Sequence, residues 1–533
     1  MKNMISISFK NFRKFKEEIT FDLNSINFLV GKNSSGKSTL TKGYRLYLNN
    51  IQNLQTNSNN IFSYRPLFQF GGDSFDNPHI GTFGRALSKD ADDNNIYFTF
   101  SFSDLVIRTT VSRYSCHYKN GDNEPIDFMD KTSAPITKID FRMISLDAQF
   151  TFDFENESFI AEFNKTGNVD YYDIWKKKIA SIEEMLKRND IPTGTKEMMA
   201  SESNRLKKCV DLEWKENYKY SSKLKSIKEN GTRFQGQLYM MLINELTYID
   251  STAIRTNSNR FYQIKMVELW GAYIKQIMDE LTQRFRYFIN KISIKNIEAH
   301  SVTRSLVYNI SDKNDYMAQT ILNYINENIK NEDPEKEFVN KWMQYFEIGR
   351  DFVIDNYGGE SYKMEIIEDT DNPEHTTPLL DKGVGSNQLM ILLLQLATTL
   401  HKNRSNFVPS TLIIEEPEQN LHPALQSKLA DLFFEVYQYP LKLNKKSLGI
   451  TFLIETHSEY IVRRTQVLVA KLFKKGEEYN PFKVFYVTGD KKTPSFEMGF
   501  QNNGKFEKSF GEGFYDVADD AAMELFDLDN EEN

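Results

Sequence analysis

The chain has 533 residues, of which 40% are hydrophobic and 26% charged, a balance typical of folded proteins with two or three domains. Its net charge of -8 and its pI near 5.6 exclude a uniformly basic surface that coats nucleic acid. The two cysteines, Cys116 and Cys209, are too few for a disulfide framework and too isolated for a metal site, which favours a reducing compartment.

The first residues form a mixed polar strand without an apolar core, so no signal peptide is predicted. The most apolar stretch, residues 389–400, is too short to cross a bilayer. We therefore expect a cytoplasmic protein without a membrane partner.

The first informative segment is the glycine-rich turn between an apolar strand that ends at Val30 and a predicted helix over residues 37–54. Its spacing is Gly-x-x-x-x-Gly-Lys-Ser, in which two glycines let consecutive backbone N–H groups converge on phosphate oxygens. The lysine reaches the β- and γ-phosphates, and the serine offers a hydroxyl to Mg²⁺. The pattern predicts a bound nucleoside triphosphate with Mg²⁺. The residues predicted to bind them are Gly31, Asn33, Ser34, Ser35, Gly36, Lys37, Ser38 and Thr39, with Ser38 as a metal ligand.

The next segments are predicted from their hydrophobic periodicity. Loops rich in Asn, Ser and Gly are expected at residues 55–60 and 70–84, and short alternating antiparallel strands over residues 95–165. From about residue 170 the pattern becomes helical, with a hairpin of two helices that ends near residue 230. Further helices are predicted over 235–248 and 261–291. These patterns predict that the chain has three regions. They are an N-terminal region at residues 1–169, a helical insertion for dimer or partner contacts at 170–345, and a C-terminal region at 346–533.

Residues 171–230 are locally basic, with 14 Lys+Arg against 10 Asp+Glu, a balance of +4. Tryptophans and tyrosines lie between the basic clusters, so the region could stack on DNA or RNA bases. Solvated helix faces have the same composition. Both interpretations stay open.

A second glycine-rich turn, Asp381 to Gln388, precedes a helix that is apolar on all faces. Gly383 and Gly385 just before that helix indicate a second anion-binding helix start, with Ser386 as the predicted N-cap.

Two further apolar segments are predicted to be buried parallel strands, because β-branched and aliphatic residues run through them without interruption. The first ends in the adjacent carboxylates Glu415 and Glu416, which alternation along a strand would point to different faces. We predict that Glu415 orients Mg²⁺ and that Glu416 polarises the water that attacks the γ-phosphate. The second strand delivers His457 to its end, where ligands gather in open parallel sheets.

The order of these motifs resembles the ABC-type ATPase heads of the SMC, RecF and OLD group, over roughly residues 1–165 and 350–515. The implied fold class is an α/β P-loop ABC-type ATPase head, a mixed sheet with an antiparallel β-lobe and a short helical insertion. The resemblance implies that ATP is the nucleotide and that Arg13, in a strand-and-loop start similar to those heads, lies near it. It also implies a signature loop of Gly383, Gly385 and Ser386, a D-loop at Asn420-Leu-His-Pro423 and a switch histidine at His457.

In such heads the signature loop faces away from the phosphate loop of its own subunit, so the resemblance implies a homo-oligomer in which two heads close around ATP. The sequence departs from the family pattern at three places. Glu415 replaces the usual aspartate, the signature lacks its Leu-Ser start, and no glutamine lid is assigned after the first helix.

Within the group the chain most resembles the PtuA-type ATPases of Septu and retron-associated anti-phage systems, whose partner is an HNH nuclease. The resemblance rests on the short insertion, on the missing Cys-x-x-Cys zinc hook and on the missing TOPRIM pattern. An effector nuclease of the HNH or TOPRIM type from a neighbouring gene is therefore the expected partner. The alternatives are the ATPase subunit of a PARIS-type defence complex, a RecF-like repair ATPase and, from another class, a transporter nucleotide-binding subunit.

Overall fold

The computed structural model describes most of the chain, and the contacts within that part divide it into two compact units. The described residues are 5–52, 66–71, 80–115, 119, 124–144, 147–163, 171–188, 191–210, 218–223, 293–297, 303–369, 372, 374–405, 410–442, 449–477, 479–490, 493–510, 515 and 521–525. The first unit comprises Met1–Phe21, Leu46–Gly72 and Pro78–Asn290. The second comprises Asp22–Arg45, Asp73–Asn77 and Lys291–Asn533.

The described part of the chain contains both strands and helices. The strands are β1 (Ile5–Lys10), β2 (Ile19–Leu23), β3 (Ile26–Val30), β4 (Leu67–Gln69), β5 (Asn95–Phe102), β6 (Leu105–Ser112), β7 (Ser133–Met143), β8 (Ala148–Asp153), β9 (Ser158–Phe163), β10 (Tyr218–Lys223), β11 (Ser293–Ile297), β12 (Tyr308–Asn309), β13 (Asp351–Gly358), β14 (Ser361–Ile367), β15 (Thr376–Pro378), β16 (Ser410–Glu415), β17 (Ile450–Glu455), β18 (Phe482–Val487) and β19 (Ser495–Glu497). The main helices are α1 (Lys37–Gln52), α2 (Phe83–Ala86), α3 (Tyr171–Leu186), α4 (Thr193–Val210), α5 (Tyr316–Asn326), α6 (Pro334–Tyr345), α7 (Val384–Ser405), α8 (Pro423–Lys442) and α9 (Glu459–Lys474).

An antiparallel sheet dominates the first unit. Its described strands follow the order β10-β9-β8-β7-β6-β5-β1-β2, and β4 pairs with β7. In β5 the residues Ile96, Phe98, Phe100 and Phe102 are buried and alternate with more exposed ones, as expected for strands with one covered face. The predicted series of antiparallel strands over residues 95–165 is confirmed.

Two helices of the first unit, α3 and α4, pack against each other as the predicted hairpin. Lys178 pairs with Glu202 at 3.2 Å and Lys207 with Glu183 at 2.6 Å. The prediction of helix as far as residue 230 is wrong, because β10 pairs antiparallel with β9 instead. A free sheet edge overrides a helical sequence pattern of this kind.

Several predicted segments lie wholly or partly outside the described residues. They are the helices at 235–248 and 261–291, the loop at 55–60 and most of the loop at 70–84. The short helix α2 begins within the last of these.

A second, largely parallel sheet forms the centre of the second unit, in the order β11-β16-β17-β3-β18-β19. Each neighbouring pair from β11 to β18 is parallel, and β19 runs antiparallel to β18. Every residue of β3 and β17 is buried, which explains why both sequences are mostly apolar. Because the strands are parallel, the carboxyl ends of β3, β16 and β17 meet at one edge.

A smaller antiparallel sheet of β12 to β15 and the helices α5 to α9 complete the described part of the second unit. The division differs from the predicted boundary at residue 345, since β11 lies inside the predicted insertion yet pairs with β16. Its sequence, Ser-Ile-Lys-Asn-Ile, is too short and too polar to stand out as a sheet strand. Among the described residues, no helix is long and apolar enough to cross a bilayer.

Candidate nucleotide-binding site

The phosphate loop joins β3 to α1 and passes through left-handed backbone at three residues. Gly31, Ser34 and Gly36 have φ angles of +151°, +59° and +121°. A Cβ atom on Gly31 would lie 2.2 Å from the carbonyl oxygen of Val487, so only glycine fits there. Packing against the end of β18 thus fixes the loop in addition to its own backbone conformation.

Lys37 is the first residue of α1, and its ammonium group folds back over the loop. Nζ donates hydrogen bonds to the carbonyl oxygens of Gly31, at 2.9 Å, and Lys32, at 3.1 Å. Burial lowers the pKa of Lys37, although nearby glutamates favour its charged form. No carboxylate of the described residues forms an ion pair with Nζ, so its charge is available to an anion.

The hydroxyl group of Ser35 lies within the phosphate loop. It is buried and has no hydrogen-bond partner in the part of the chain that the structure describes. An unmade buried bond of this kind costs about 1–3 kcal/mol. A phosphate oxygen would accept the bond, so the loop fits the phosphates of a nucleotide. The roles predicted for Asn33, which is exposed, and for Thr39, which is buried, stay predictions.

Glu455, a residue that the sequence analysis missed, lies beside the predicted magnesium ligand. The Ser38 hydroxyl donates to Glu455 Oε2 at 2.9 Å, and the Thr41 hydroxyl donates to Oε1. Burial, with the nearby charge of Glu415, raises the pKa of Glu455 to about 7. Glu455 ends β17 directly opposite Glu415 on β16, so both carboxylates stand at the same edge of the sheet. The magnesium role predicted for Glu415 stays a prediction.

Glu416 and His457 face each other across the ends of β16 and β17. Their closest side-chain atoms, His457 Nε2 and Glu416 Oε1, are 3.5 Å apart, and the Gln419 amide donates to the other carboxylate oxygen. The strand ends at Glu415, and Glu416 has a φ of +45°. The strand therefore ends at the first of the two adjacent glutamates, and the reason predicted from strand alternation is wrong.

Glu418 is a second residue that the sequence analysis missed. It is buried, and its Oε1 accepts the backbone N–H of His457 at 2.6 Å. Burial raises the pKa of Glu418. This contact ties the turn after β16 to the histidine turn after β17, so Glu418 positions His457.

The predicted signature loop lies next to the predicted D-loop. Gln388, buried near the start of α7, donates to the Glu416 carbonyl and accepts from the Asn420 amide, both at 3.4 Å. The helix begins at Val384, and the N–H of Ser386 donates to the Gly383 carbonyl at 3.0 Å. Ser386 thus lies in the first turn, and its prediction as the N-cap is wrong, because the helix starts two residues earlier.

Replacing Gly385 by alanine should destabilise the protein, whereas the same change at Gly383 should not. A Cβ on Gly385 would lie 2.7 Å from the Asn420 carbonyl oxygen and 2.9 Å from Leu421 Cδ2, while one on Gly383 would meet nothing within 4 Å. Crowding of this kind costs about 1–3 kcal/mol. Urea denaturation of both variants measures the difference in stability. Equal midpoints would show that the predicted D-loop can move away from the added methyl group without loss of stability.

Arg13 belongs to the first unit. It has a φ of +50°, and its N–H donates to the Ala86 carbonyl at 2.7 Å. Burial and the charge of Arg85 lower the pKa of Arg13. Its predicted place beside the nucleotide stays a prediction.

Asp333, Glu335 and His401 form a cluster of the type that binds metals. Its carboxylates already have protein partners, since Arg404 lies 2.8 Å from Asp333 and 3.6 Å from Glu335. The Tyr439 hydroxyl also donates to Glu335 at 3.0 Å. A guanidinium in contact with both carboxylates takes the place of a cation, so the cluster is a structural ion-pair network.

A phosphate loop followed by a helix, with carboxylates at the ends of adjacent parallel strands, defines a P-loop nucleotide-binding fold and confirms the predicted α/β class. The family described as AAA ATPase domain matches residues 3–462. The chain therefore belongs to the AAA ATPase domain family.

Solved structures similar to the chain include two that align over most of both chains. The SMC head domain from Thermotoga maritima is 10% identical, with 94% of this chain and 100% of that chain covered and a TM-score of 0.30. The recombination mediator protein RecF, solved as RecF-ATPrS in the RecFOR pathway, is 10% identical, with 92% and 97% covered and a TM-score of 0.26. No curated protein matches the chain.

Proposed function

We propose that the chain hydrolyses ATP in a Mg²⁺-dependent reaction at the edge where β3, β16 and β17 end. The observation that carries the proposal is the convergence there of an available cation, a hydroxyl–carboxylate pair and a carboxylate beside a histidine. These groups are Lys37, Ser38 with Glu455, and Glu416 with His457. Membership of an ATPase family supports the same activity.

The oxygen ligands at this edge suit Mg²⁺, which prefers carboxylates and hydroxyls and keeps several waters. Ser38 and Glu415 are the proposed ligands, and Glu455 adds a third oxygen donor because it already contacts the Ser38 hydroxyl. When bound, the ion neutralises charge on the β- and γ-phosphates. Lys37 adds a second positive charge to the same phosphates.

Glu416 is the proposed general base. About one third of its side chain is exposed, at 35%, so water reaches the carboxylate. Burial and the charge of Lys37 lower the pKa of His457, which leaves the imidazole neutral at pH 7. A neutral ring offers one donor and one acceptor, and it orients the attacking water or a phosphate oxygen.

ATP binding also brings two copies together in this proposal, with Gly383, Gly385 and Ser386 of one copy completing the site of the other. The contacts of Gln388 support it, because they join the start of α7 to the turn that carries Glu416. Hydrolysis or release of the phosphates changes the contacts of Glu416, and the Gln388 side chain passes that change to the proposed interface.

The paired ATPase regulates an effector nuclease of the HNH or TOPRIM type in anti-phage defence, through contacts on the region 170–345. Support comes from the resemblance to PtuA-type ATPases and from the sequence, which has no recognisable nuclease pattern of its own. ATP binds the two arrangements of the pair with different affinity, so the nucleotide state can hold or release the partner.

Purified protein should leave plasmid DNA intact with Mg²⁺ or Mn²⁺, with and without ATP. Co-expression with an HNH or TOPRIM nuclease from a neighbouring gene, the proposed partner, should give cleavage that differs between the wild type and Lys37→Ala, since only the wild type senses ATP. Cleavage by the purified chain that is lost on substitution outside the ATP site would contradict the proposal. Direct binding to gapped DNA without any nuclease would favour the RecF-like repair alternative.

A further inference from the structure

A basic groove lies in the second unit between one face of α9 and the turn at residues 503–505. Its cavity is about 470 Å³. The helix contributes residues at helical spacing along one face, and Lys505 stands on the opposite wall. The residues that line the groove include Arg463, Val467, Ala470, Lys471, Lys474 and Lys505.

The turn packs tightly onto the helix. Gly504 has a φ of +80°, and a Cβ there would lie 2.2 Å from the carbonyl oxygen of Gln466. Glycine therefore lets the turn approach and fixes Lys505 across from Lys471 and Lys474. These three lysines are exposed and form no ion pair with any residue that the structure describes. Three free charges on opposite walls favour an anionic occupant.

We propose that this groove binds the acidic segment, residues 516–533, of a second copy of the chain. The segment contains eight Asp and Glu residues and no Lys or Arg. Apolar residues, among them Met523 and Leu525, are interspersed with these acids. Between its lysines the groove presents Val467, which is 43% exposed, and Ala470. The acidic side chains of the segment pair with the lysines at the rim of the groove, and its apolar side chains pack on the apolar floor.

The described part of the segment indicates that the occupant comes from another copy. Residues 521–525 are exposed in their own chain, and the side chains of Met523 and Leu525 are each 66% exposed. The segment begins beside the groove, because Tyr515 lies 6.0 Å from the Arg463 guanidinium, measured to the ring centroid. When two copies meet about a two-fold axis beside the groove, each segment can enter the groove of the other copy. Such an exchange of identical segments forms a dimer without a large additional interface.

Nucleic acid is the other anion that a basic groove could take. A phosphate backbone offers nothing to the apolar floor at Val467 and Ala470. An acidic peptide with apolar side chains matches both parts of the groove. The peptide is therefore the favoured occupant.

Sedimentation velocity on the full chain without nucleotide tests the proposal and separates it from ATP-driven pairing. The wild type should dimerise with rising concentration at low salt. Both the groove variant Lys471→Glu/Lys505→Glu and the segment variant Asp519→Lys/Asp520→Lys should weaken dimerisation on the order of 10-fold or more. The control Lys313→Glu/Lys330→Glu makes the same change in charge at exposed lysines outside the groove and should leave the dimer unchanged.

An equimolar mixture of the groove and segment variants gives the sharpest result. In a mixed pair each groove meets a segment of opposite charge, so dimerisation should return, which binding within one chain cannot produce. A monomeric wild type at all concentrations, or a mixture that stays monomeric, would overturn the proposal. So would a groove variant that dimerises normally but loses affinity for a labelled oligonucleotide, since nucleic acid would then be the occupant.

Discussion

Replacing Lys37 by alanine should weaken ATP binding by at least on the order of 100-fold, about 2.7 kcal/mol. The ammonium group is held over the phosphate loop by the Gly31 and Lys32 carbonyls and forms no ion pair with a described carboxylate. Its loss removes a charge-assisted contact to the β- and γ-phosphates at a buried position. Isothermal titration with ATP and Mg²⁺ measures the effect.

A matched variant separates the phosphate contact from general loss of charge. Lys42→Ala removes a lysine from the same helix, α1, and should bind ATP as the wild type does. Lys37→Ala should also stay folded, because burial already disfavours the charged lysine in the absence of ATP. Equal affinities of the two variants for ATP would rule out Lys37 as the phosphate-binding lysine.

Glu416→Gln should bind ATP with near wild-type affinity and lose turnover by roughly 10²- to 10⁴-fold, the usual contribution of a general base. The amide keeps the size of the side chain and the packing of the turn at φ +45°, but it cannot accept a proton from water. Phosphate release at saturating ATP, together with a binding titration, separates the two steps.

Glu415→Gln is the control for that experiment, since it removes the neighbouring carboxylate at the end of β16. This variant should need more Mg²⁺ for half-maximal rate yet recover turnover when Mg²⁺ is raised. Wild-type turnover by Glu416→Gln would remove Glu416 from the role of base. Recovery of Glu416→Gln at high Mg²⁺ would exchange the roles of the two glutamates.

The features that could be predicted from sequence are local ones. The phosphate loop follows from the spacing of Gly31, Gly36 and Lys37, and the buried strands β3, β16 and β17 follow from their mostly apolar sequences. A short stretch of chain contains everything needed to specify each of them. The alternating strands β5 to β9 likewise have a pattern of period two that can be recognised without their partners.

The features that escaped prediction depend on contacts between distant segments. Glu455 contacts Ser38 only because β17 inserts between β16 and β3, and no local pattern gives that strand order. Glu418 acts through the backbone of a residue 39 positions away. The edge strands β10 and β11 carry mixed polar sequences that become strands by pairing with β9 and β16.

The most direct test of the account is the rate of ATP turnover per subunit, measured with Mg²⁺ over a series of protein concentrations. A site completed by a second copy predicts turnover that disappears with EDTA and rises with concentration to a plateau, as monomers become pairs. No Mg²⁺-dependent turnover at any concentration would contradict the ATPase itself. Turnover per subunit that stays constant down to the most dilute sample would contradict a site shared between two copies.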